Sequence, residues 1–240
     1  MRGLSDEDIA LHNARLEGQS PRDRLAFAVD LFGDKLLFTS SFGAGSGVLL
    51  HLWSEVARNL PVVFIDTGFL FPETIAYRDR LVKELGLALA VVRPAASNAD
   101  FLADYGSDIY RKNPDFCCHQ NKIEPLQPRV AVADAWVSGL RRDQSDARAS
   151  TPILLGADDG PIKVHPLATM TAAEAAAYMV EHAIADHPLR AEGYASIGCK
   201  PCTRAVEPGE DERAGRWAWT AKTECGLHTN LVRPARAKPA

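Results

Sequence analysis

Lys35-Leu36-Leu37-Phe38-Thr39-Ser40-Ser41 reads as a buried strand, and Phe42-Gly43-Ala44-Gly45-Ser46-Gly47 breaks it before helical periodicity resumes over residues 48–58. Strand, glycine-rich loop and helix in that order bring backbone N–H groups and a helix N-terminus to one point. That arrangement suits a phosphate, and Ser40, Ser41 and Ser46 add hydroxyl donors. The glycines do not settle the matter alone, because any tight strand-to-helix turn needs some. No Gly-Lys-Ser/Thr closes the loop, and the dinucleotide fingerprint spacing is absent.

Outward from that unit the alternation continues. Residues 61–66 read as a second strand ending in Asp66-Thr67-Gly68, Pro72 opens a helix that runs to about Leu85, and residues 87–92 form a third strand. The fold class is therefore α/β: a parallel sheet flanked by helices, whose ligands collect at the carboxyl ends of the strands. Both the glycine loop and Asp66-Thr67-Gly68 lie at that edge. A helix over residues 98–110 and a strand over residues 135–140 follow, the strand ending in Arg141-Arg142-Asp143-Gln144. Two adjacent arginines there suit an anion clamp, with a solvated turn as the alternative.

Residues 153–155 and 162–164 with Asp159-Gly160 between them read as a hairpin, and Thr171-Ala172-Ala173-Glu174 as a capping box opening a helix to about Ala183. Upstream, Ser20-Pro21 starts a covering helix with Leu25, Ala28, Val29 and Phe32 at helical spacing before Gly33. His182 and His187 read as surface or cap residues. The Ala/Pro/basic end, residues 232–240, is expected to be disordered.

At 240 residues with 46% hydrophobic content, the chain fits one large domain. Its expected parts are an N-terminal helical segment (1–33), an α/β body (34–205) and a mobile C-terminal arm (206–240). The 27 basic and 31 acidic residues, net −4, show no dominant run of either sign, so nucleic-acid and membrane-surface roles lack electrostatic support. No apolar run approaches the roughly 18 residues of a spanning helix, and the acidic start is unlike a signal peptide. A cytoplasmic protein is expected, where clustered cysteines serve as ligands or catalysts rather than disulfides.

The five cysteines divide four to one. Asn113-Pro114-Asp115 has the cap, proline and acidic residue of a helix start, which puts Cys117 and Cys118 about 100° apart on that helix, able to converge on one centre. Lys122, four residues after Cys118, lies on the same face and offsets thiolate charge. Cys199 and Cys202 have the two-residue gap of zinc and iron–sulfur sites. Adjacent cysteines fit a cube, in which neighbouring irons each take one thiolate, better than a single ion; [4Fe–4S] is the favoured centre and zinc the alternative. Arg204, Arg213 and Arg216 follow, the last two spaced for one helical face. Cys225, between Glu224 and Gly226 and three residues before His228, is left over as a free thiol and reads as a nucleophile.

Cys117-Cys118-His119-Gln120-Asn121-Lys122, GCKPCTRAVEPGEDERAGRWAW from Gly198 to Trp219, and KTECGLH from Lys222 to His228 closely resemble the assimilatory adenylyl-sulfate reductases. The likeness extends through SSFGAG at Ser40, DTGFLFPET at Asp66 and GLRRDQS at Gly139, covering about residues 35 to 228. It implies an adenine-nucleotide α-hydrolase-like sheet and a [4Fe–4S] cluster on Cys117, Cys118, Cys199 and Cys202. It also implies that Cys225 attacks the sulfur of adenylyl sulfate, releases AMP and becomes a cysteine S-sulfonate, from which thioredoxin or a glutaredoxin-like donor frees sulfite.

The residues agree with that implication. A thiol with an ordinary pKa near about 8.5 is only a few per cent thiolate at neutral pH, so a cationic pocket should assist it. Lys122, Arg141, Arg142, Arg213 and Arg216 supply cations for that purpose and for the phosphosulfate. Ser40, Ser41, Phe42, Gly43, Ala44, Asp66, Thr67 and Gly68 complete the expected substrate site. His228 orients the thiolate or substrate, or is a solvated tail residue.

Two positions depart from the family pattern. Gly45-Ser46 stands where an acidic pair is common after SFGA, an absence expected to relax discrimination against phosphoadenylyl sulfate, and Trp217-Ala218-Trp219 replaces three consecutive tryptophans. Three rivals remain: a phosphoadenylyl-sulfate or dual-substrate reductase, whose cluster-free form lacks the two cysteine pairs; an ATP-pyrophosphatase-type sulfur-transfer enzyme, whose Ser-Gly-Gly-x-Asp-Ser loop is absent here; and a zinc-stabilised nucleotide sensor. The sequence leaves the oligomeric state open, a homo-oligomer included.

Overall fold

The computed structural model describes residues 4–144, 146–157, 160–222 and 224–227. Helix α1 (Asp6–Leu16) opens on a capping box in which the Ser5 side chain accepts from Asp8 N, and α2 (Pro21–Phe32) opens on Ser20, which accepts from Asp23 N. Then come β1 (Leu36–Thr39), α3 (Gly47–Val56), β2 (Val62–Ile65), α4 (Pro72–Leu85) and β3 (Leu89–Val92), the expected alternation with strand ends trimmed by one to two residues. The second half holds α5 (Asn98–Tyr105), α6 (Ile109–Lys112), α7 (Pro114–Cys118), α8 (Glu124–Val132), β4 (Ala135–Val137), β5 (Leu154–Leu155), β6 (Ile162–Val164) and α9 (Ala172–Glu181).

The strand order is β3-β2-β1-β4-β6-β5. Every pairing is parallel except β5 with β6, the expected hairpin, whose Asp159 falls outside the described residues. The order reverses between β1 and β4, so the crevice above their carboxyl ends is where an open α/β sheet takes its ligand.

Strand alternation sorts the core. Leu36, Phe38, Val62, Phe64, Ala135 and Val137 share one hydrophobic cluster with Leu25, Phe32, Leu50, Trp53, Leu81 and Met179 of the helices. The residues between them, Leu37, Val63 and Trp136, pack on Ile123, Leu126 and Val130 instead. Each fully buried Leu or Phe contributes roughly 1.5–3 kcal/mol, enough in sum to hold the loops above a fixed sheet edge. Arg24, 1% exposed, donates to the carbonyls of Leu16, Glu17 and Pro166 and to Thr169 Oγ1, capping α1 and tying it to the segment after β6.

Three local expectations change. The helix over residues 98–110 is two helices, because Gly106 adopts φ 94° and stops the first. One element is additional: helix α8 follows on helical backbone at Ile123 and carries both Pro125 and Pro128. A π-helical turn, His119–Ile123, joins α7 to α8 and sets the aim of Lys122 where a plain α-helical face was expected. Arg213 and Arg216 lie on consecutive turns rather than a helix, with Arg216 bridged to Thr203. Among the described residues, no helix is long and apolar enough to cross a membrane.

Candidate active site

A cavity of about 550 Å³ opens above the carboxyl ends of β1 and β4. One wall is the glycine-rich loop, with Ser40, Ser41, Gly43, Ala44, Gly45 and Ser46 lining it. Phe42 does not: its backbone takes φ 49° while its side chain is fully buried edge-on against Phe64, so it anchors the loop from below. Its N–H donates to Ser40 Oγ at 3.1 Å. Gly45 N donates to Asp186 Oδ1 at 3.3 Å, so a carboxylate from 141 residues away meets the loop where the sequence supplies none of its own.

The remaining walls bring together residues from distant segments. Thr67, Lys122, Arg141, Arg148, Cys199, Arg213, Arg216 and Cys225 all line the cavity. Asp66 and Gly68 do not. Asp66 pairs with Arg93 at 3.2 Å and accepts from Gly68 N, and Gly68, at φ 70°, lies against Asn98. The two adjacent arginines also part company. Arg141 turns into the cavity with its Nε on Asp143 at 3.0 Å, whereas Arg142 turns away to Glu17 and the Thr151 carbonyl. Arg142 is spent on the fold, and the expected two-arginine clamp reduces to Arg141. His228 lies outside the described residues.

Behind the cavity sits a chamber of sulfur. Cys117, Cys118, Cys199 and Cys202 are all buried, while Cys225 is half-buried and packs on the cluster of Cys118, Cys199, Cys202 and Trp217. Asn113 caps α7 by accepting from Phe116 N, as its sequence predicts, and so fixes Cys117 and Cys118 at the helix end. Thr67 Oγ1 is hydrogen-bonded to Cys199 Sγ at 3.3 Å, and Asn121 Nδ2 lies 3.7 Å from Cys117 Sγ. Burial, reinforced by the neighbouring sulfurs, pushes the Cys117 thiol up to about 12 and that of Cys202 up to about 11. Cys118 is likewise raised by burial, and ionising thiols held that high takes nearby cationic charge.

Lys122 provides some of it. Burial opposes its ammonium, yet Cys199, Cys225 and Cys118 outweigh that cost and hold its pKa above the usual lysine range. Arg216 lies with Cζ 4.4 Å from the centroid of the Trp217 ring. Arg216 Nε and Trp217 Nε1 are both buried without a hydrogen-bond partner among the described residues. Two orphan donors next to a sulfur chamber fit acceptors that a metal centre would bring.

Two residues outside the sequence reading complete the site. Arg148 enters from the loop after Arg141, and Glu224, the neighbour of Cys225, ion-pairs with both Arg148 and Arg213. A third arginine in GLRRDQSDAR was the available signal for Arg148. The pairing with Glu224 spans 76 residues and has none.

The model of the phosphoadenosine phosphosulfate reductase domain matches residues 35–205. The adenosine 5′-phosphosulfate reductase of Chelativorans sp. (strain BNC1) is 47% identical over 204 residues, 84% of this chain and 82% of that one. The phosphoadenosine 5′-phosphosulfate reductase of Gloeobacter violaceus is 43% identical over 228 residues, 93% and 95% of the two chains. Among solved structures, phosphoadenylyl-sulfate reductase from Candida auris superposes with TM-score 0.75 at 27% identity, covering 85% of this chain and 99% of that one. Matched across its whole sheet and aligned with reductases over most of its length, the chain belongs to the phosphoadenosine phosphosulfate reductase family.

Proposed function

We propose that the chain reduces adenylyl sulfate to sulfite and AMP in sulfate assimilation, with Cys225 as nucleophile. The observation that carries this reading is that Cys225 shares one cavity with the glycine-rich loop and with Lys122, Arg141, Arg148, Arg213 and Arg216, while the other four cysteines are buried and only Cys199 of them reaches the cavity wall. The thiolate attacks the sulfur of the bound nucleotide; the bond from that sulfur to the bridging phosphate oxygen breaks, and AMP leaves with the electron pair. A cysteine S-sulfonate remains. A thiolate of thioredoxin or a glutaredoxin-like dithiol then attacks Cys225 Sγ, expels sulfite, and the mixed disulfide is resolved by the partner's second thiol. Both electrons come from thiols. The cations bind the phosphosulfate and offset charge on departing AMP, and the cavity walls exclude water from the sulfur.

The reading includes a [4Fe–4S] cluster on Cys117, Cys118, Cys199 and Cys202. Support comes from the burial of all four sulfurs and the two orphan donors, Arg216 Nε and Trp217 Nε1. When bound, the cluster supplies a fixed cofactor charge beside Lys122 and ties α7 to the 199–202 turn. We further assign one domain of three parts, residues 1–33, 34–205 and 206–240, to the reducing cytoplasm, where a free thiol such as Cys225 persists.

A second reading, turnover of phosphoadenylyl sulfate as well, is favoured by the Gloeobacter relative. Mass spectrometry after mixing the metal-loaded chain with either nucleotide, no thiol donor present, tests both. A sulfonate on Cys225 is expected with adenylyl sulfate, and Cys225→Ser should keep metal and nucleotide binding but form none. Unchanged turnover in Cys225→Ser rules out the nucleophile, and complete inertness toward the 3′-phosphorylated nucleotide removes the second reading.

A further inference from the structure

Glu224 stands one residue before Cys225 and holds two arginines from different segments. Its Oε1 accepts from Arg148 Nη2 and its Oε2 from Arg213 Nη2, the latter at 3.2 Å. Arg148 is braced by Gln144 Oε1 at 2.6 Å, which also accepts from Arg141 N at 3.1 Å. All of these groups line the cavity. The root of the arm is anchored separately, by an ion pair of Lys222 with Asp115 beside Trp217. A carboxylate clasped by two arginines inside an anion site occupies the place an anionic ligand would take.

We propose that Glu224 is a resident counter-ion for Arg148 and Arg213 that the phosphosulfate of the substrate displaces, freeing the Cys225 segment to advance on the bound sulfur. The inference rests on the function proposed above. Glu224 is then a positioning residue: it shields two cations in the empty site, and its release couples nucleotide occupancy to movement of the neighbouring thiol. Burial pulls the pKa of Arg213 below the usual arginine value, and Glu224 works in the opposite direction. Lys222 stays paired, which confines the displaced part to Glu224 and the residues after it.

An arm-docking ion pair and a displaceable counter-ion predict opposite effects on affinity. In metal-loaded chain carrying Cys225→Ser, which cannot react, calorimetry with adenylyl sulfate should show Glu224→Gln binding about three- to tenfold tighter, the range set by two part-exposed ion pairs. Glu224→Asp, which keeps the charge, should stay near the parent affinity. With Cys225 intact and no nucleotide present, Glu224→Gln should raise the rate of Cys225 alkylation by iodoacetamide several-fold. Equal or weaker nucleotide binding in Glu224→Gln overturns the counter-ion. Failure of the intact chain to form any sulfonate overturns the proposed function, whereas sulfonate formation with unchanged Glu224→Gln affinity overturns only the counter-ion.

Discussion

Gly198 lies flat against the guanidinium of Arg216: a Cβ on that glycine would stand 2.5 Å from Cζ and 2.8 Å from Nη1. With the Trp217 ring 4.4 Å from Cζ, the planar cation is confined between backbone and indole at the cavity wall. Gly198→Ala should therefore act as an Arg216 variant without touching that residue. Losing one charge-assisted contact costs roughly 1.5–3 kcal/mol, so kcat/KM with adenylyl sulfate should fall about 10- to 100-fold while metal content holds. Arg216→Ala should do at least as much, and the double variant no more than the worse single one. Full turnover in Gly198→Ala would show that Arg216 is not needed where it sits.

Metal content separates the two centres the cysteines allow. Anaerobically purified chain should carry iron and acid-labile sulfide at about four each. Because Phe69, Leu70, Tyr110, Trp217 and Cys225 pack on the same sulfurs, stripping the metal should also loosen the arm. Tryptophan fluorescence should change, and sulfonation of Cys225 by adenylyl sulfate should slow at least tenfold, or about 1.4 kcal/mol. One zinc per chain without sulfide is the result that defeats the cluster.

The layout of the site was legible where local chemistry decides it. Strand-loop-helix around Ser40 to Gly47, the caps at Ser20, Asn113 and Thr171, and the Cys-Cys and Cys-x-x-Cys pairs each depend on residues a few positions apart. What stayed hidden depends on side-chain direction or on long-range partners. Arg141 and Arg142 are neighbours in sequence, yet one faces the cavity and the other Glu17, because successive side chains in a turn diverge. Asp186 reaches Gly45 from 141 residues away. The π-turn after Cys118 hid for another reason: nothing in HQNKI departs from α-helical chemistry, and only the crowding of two buried cysteines at the helix end accompanies it.

Lys163 is a buried cation that does not line the cavity. It pairs in register with Trp136 across β6 and β4, its Nζ lies 3.8 Å from the indole centroid, and it has no hydrogen-bond partner among the described residues. Burial pulls its pKa down to about 8. An unfolded chain keeps the same proton up to about 10.5, so between those values the unfolded state binds more protons and stability rises with pH. Below about pH 8 the folded chain carries the whole cost of a buried ammonium, offset only in part by the ring. Lys163→Met fills the same space without charge, and in urea unfolding at about pH 7 it should be more stable than the parent by about 1–2 kcal/mol. The difference should shrink toward zero by about pH 10, where the parent lysine is largely neutral when folded. A variant less stable than the parent at neutral pH would mean that the Trp136 ring stabilises the ammonium by more than burial costs it.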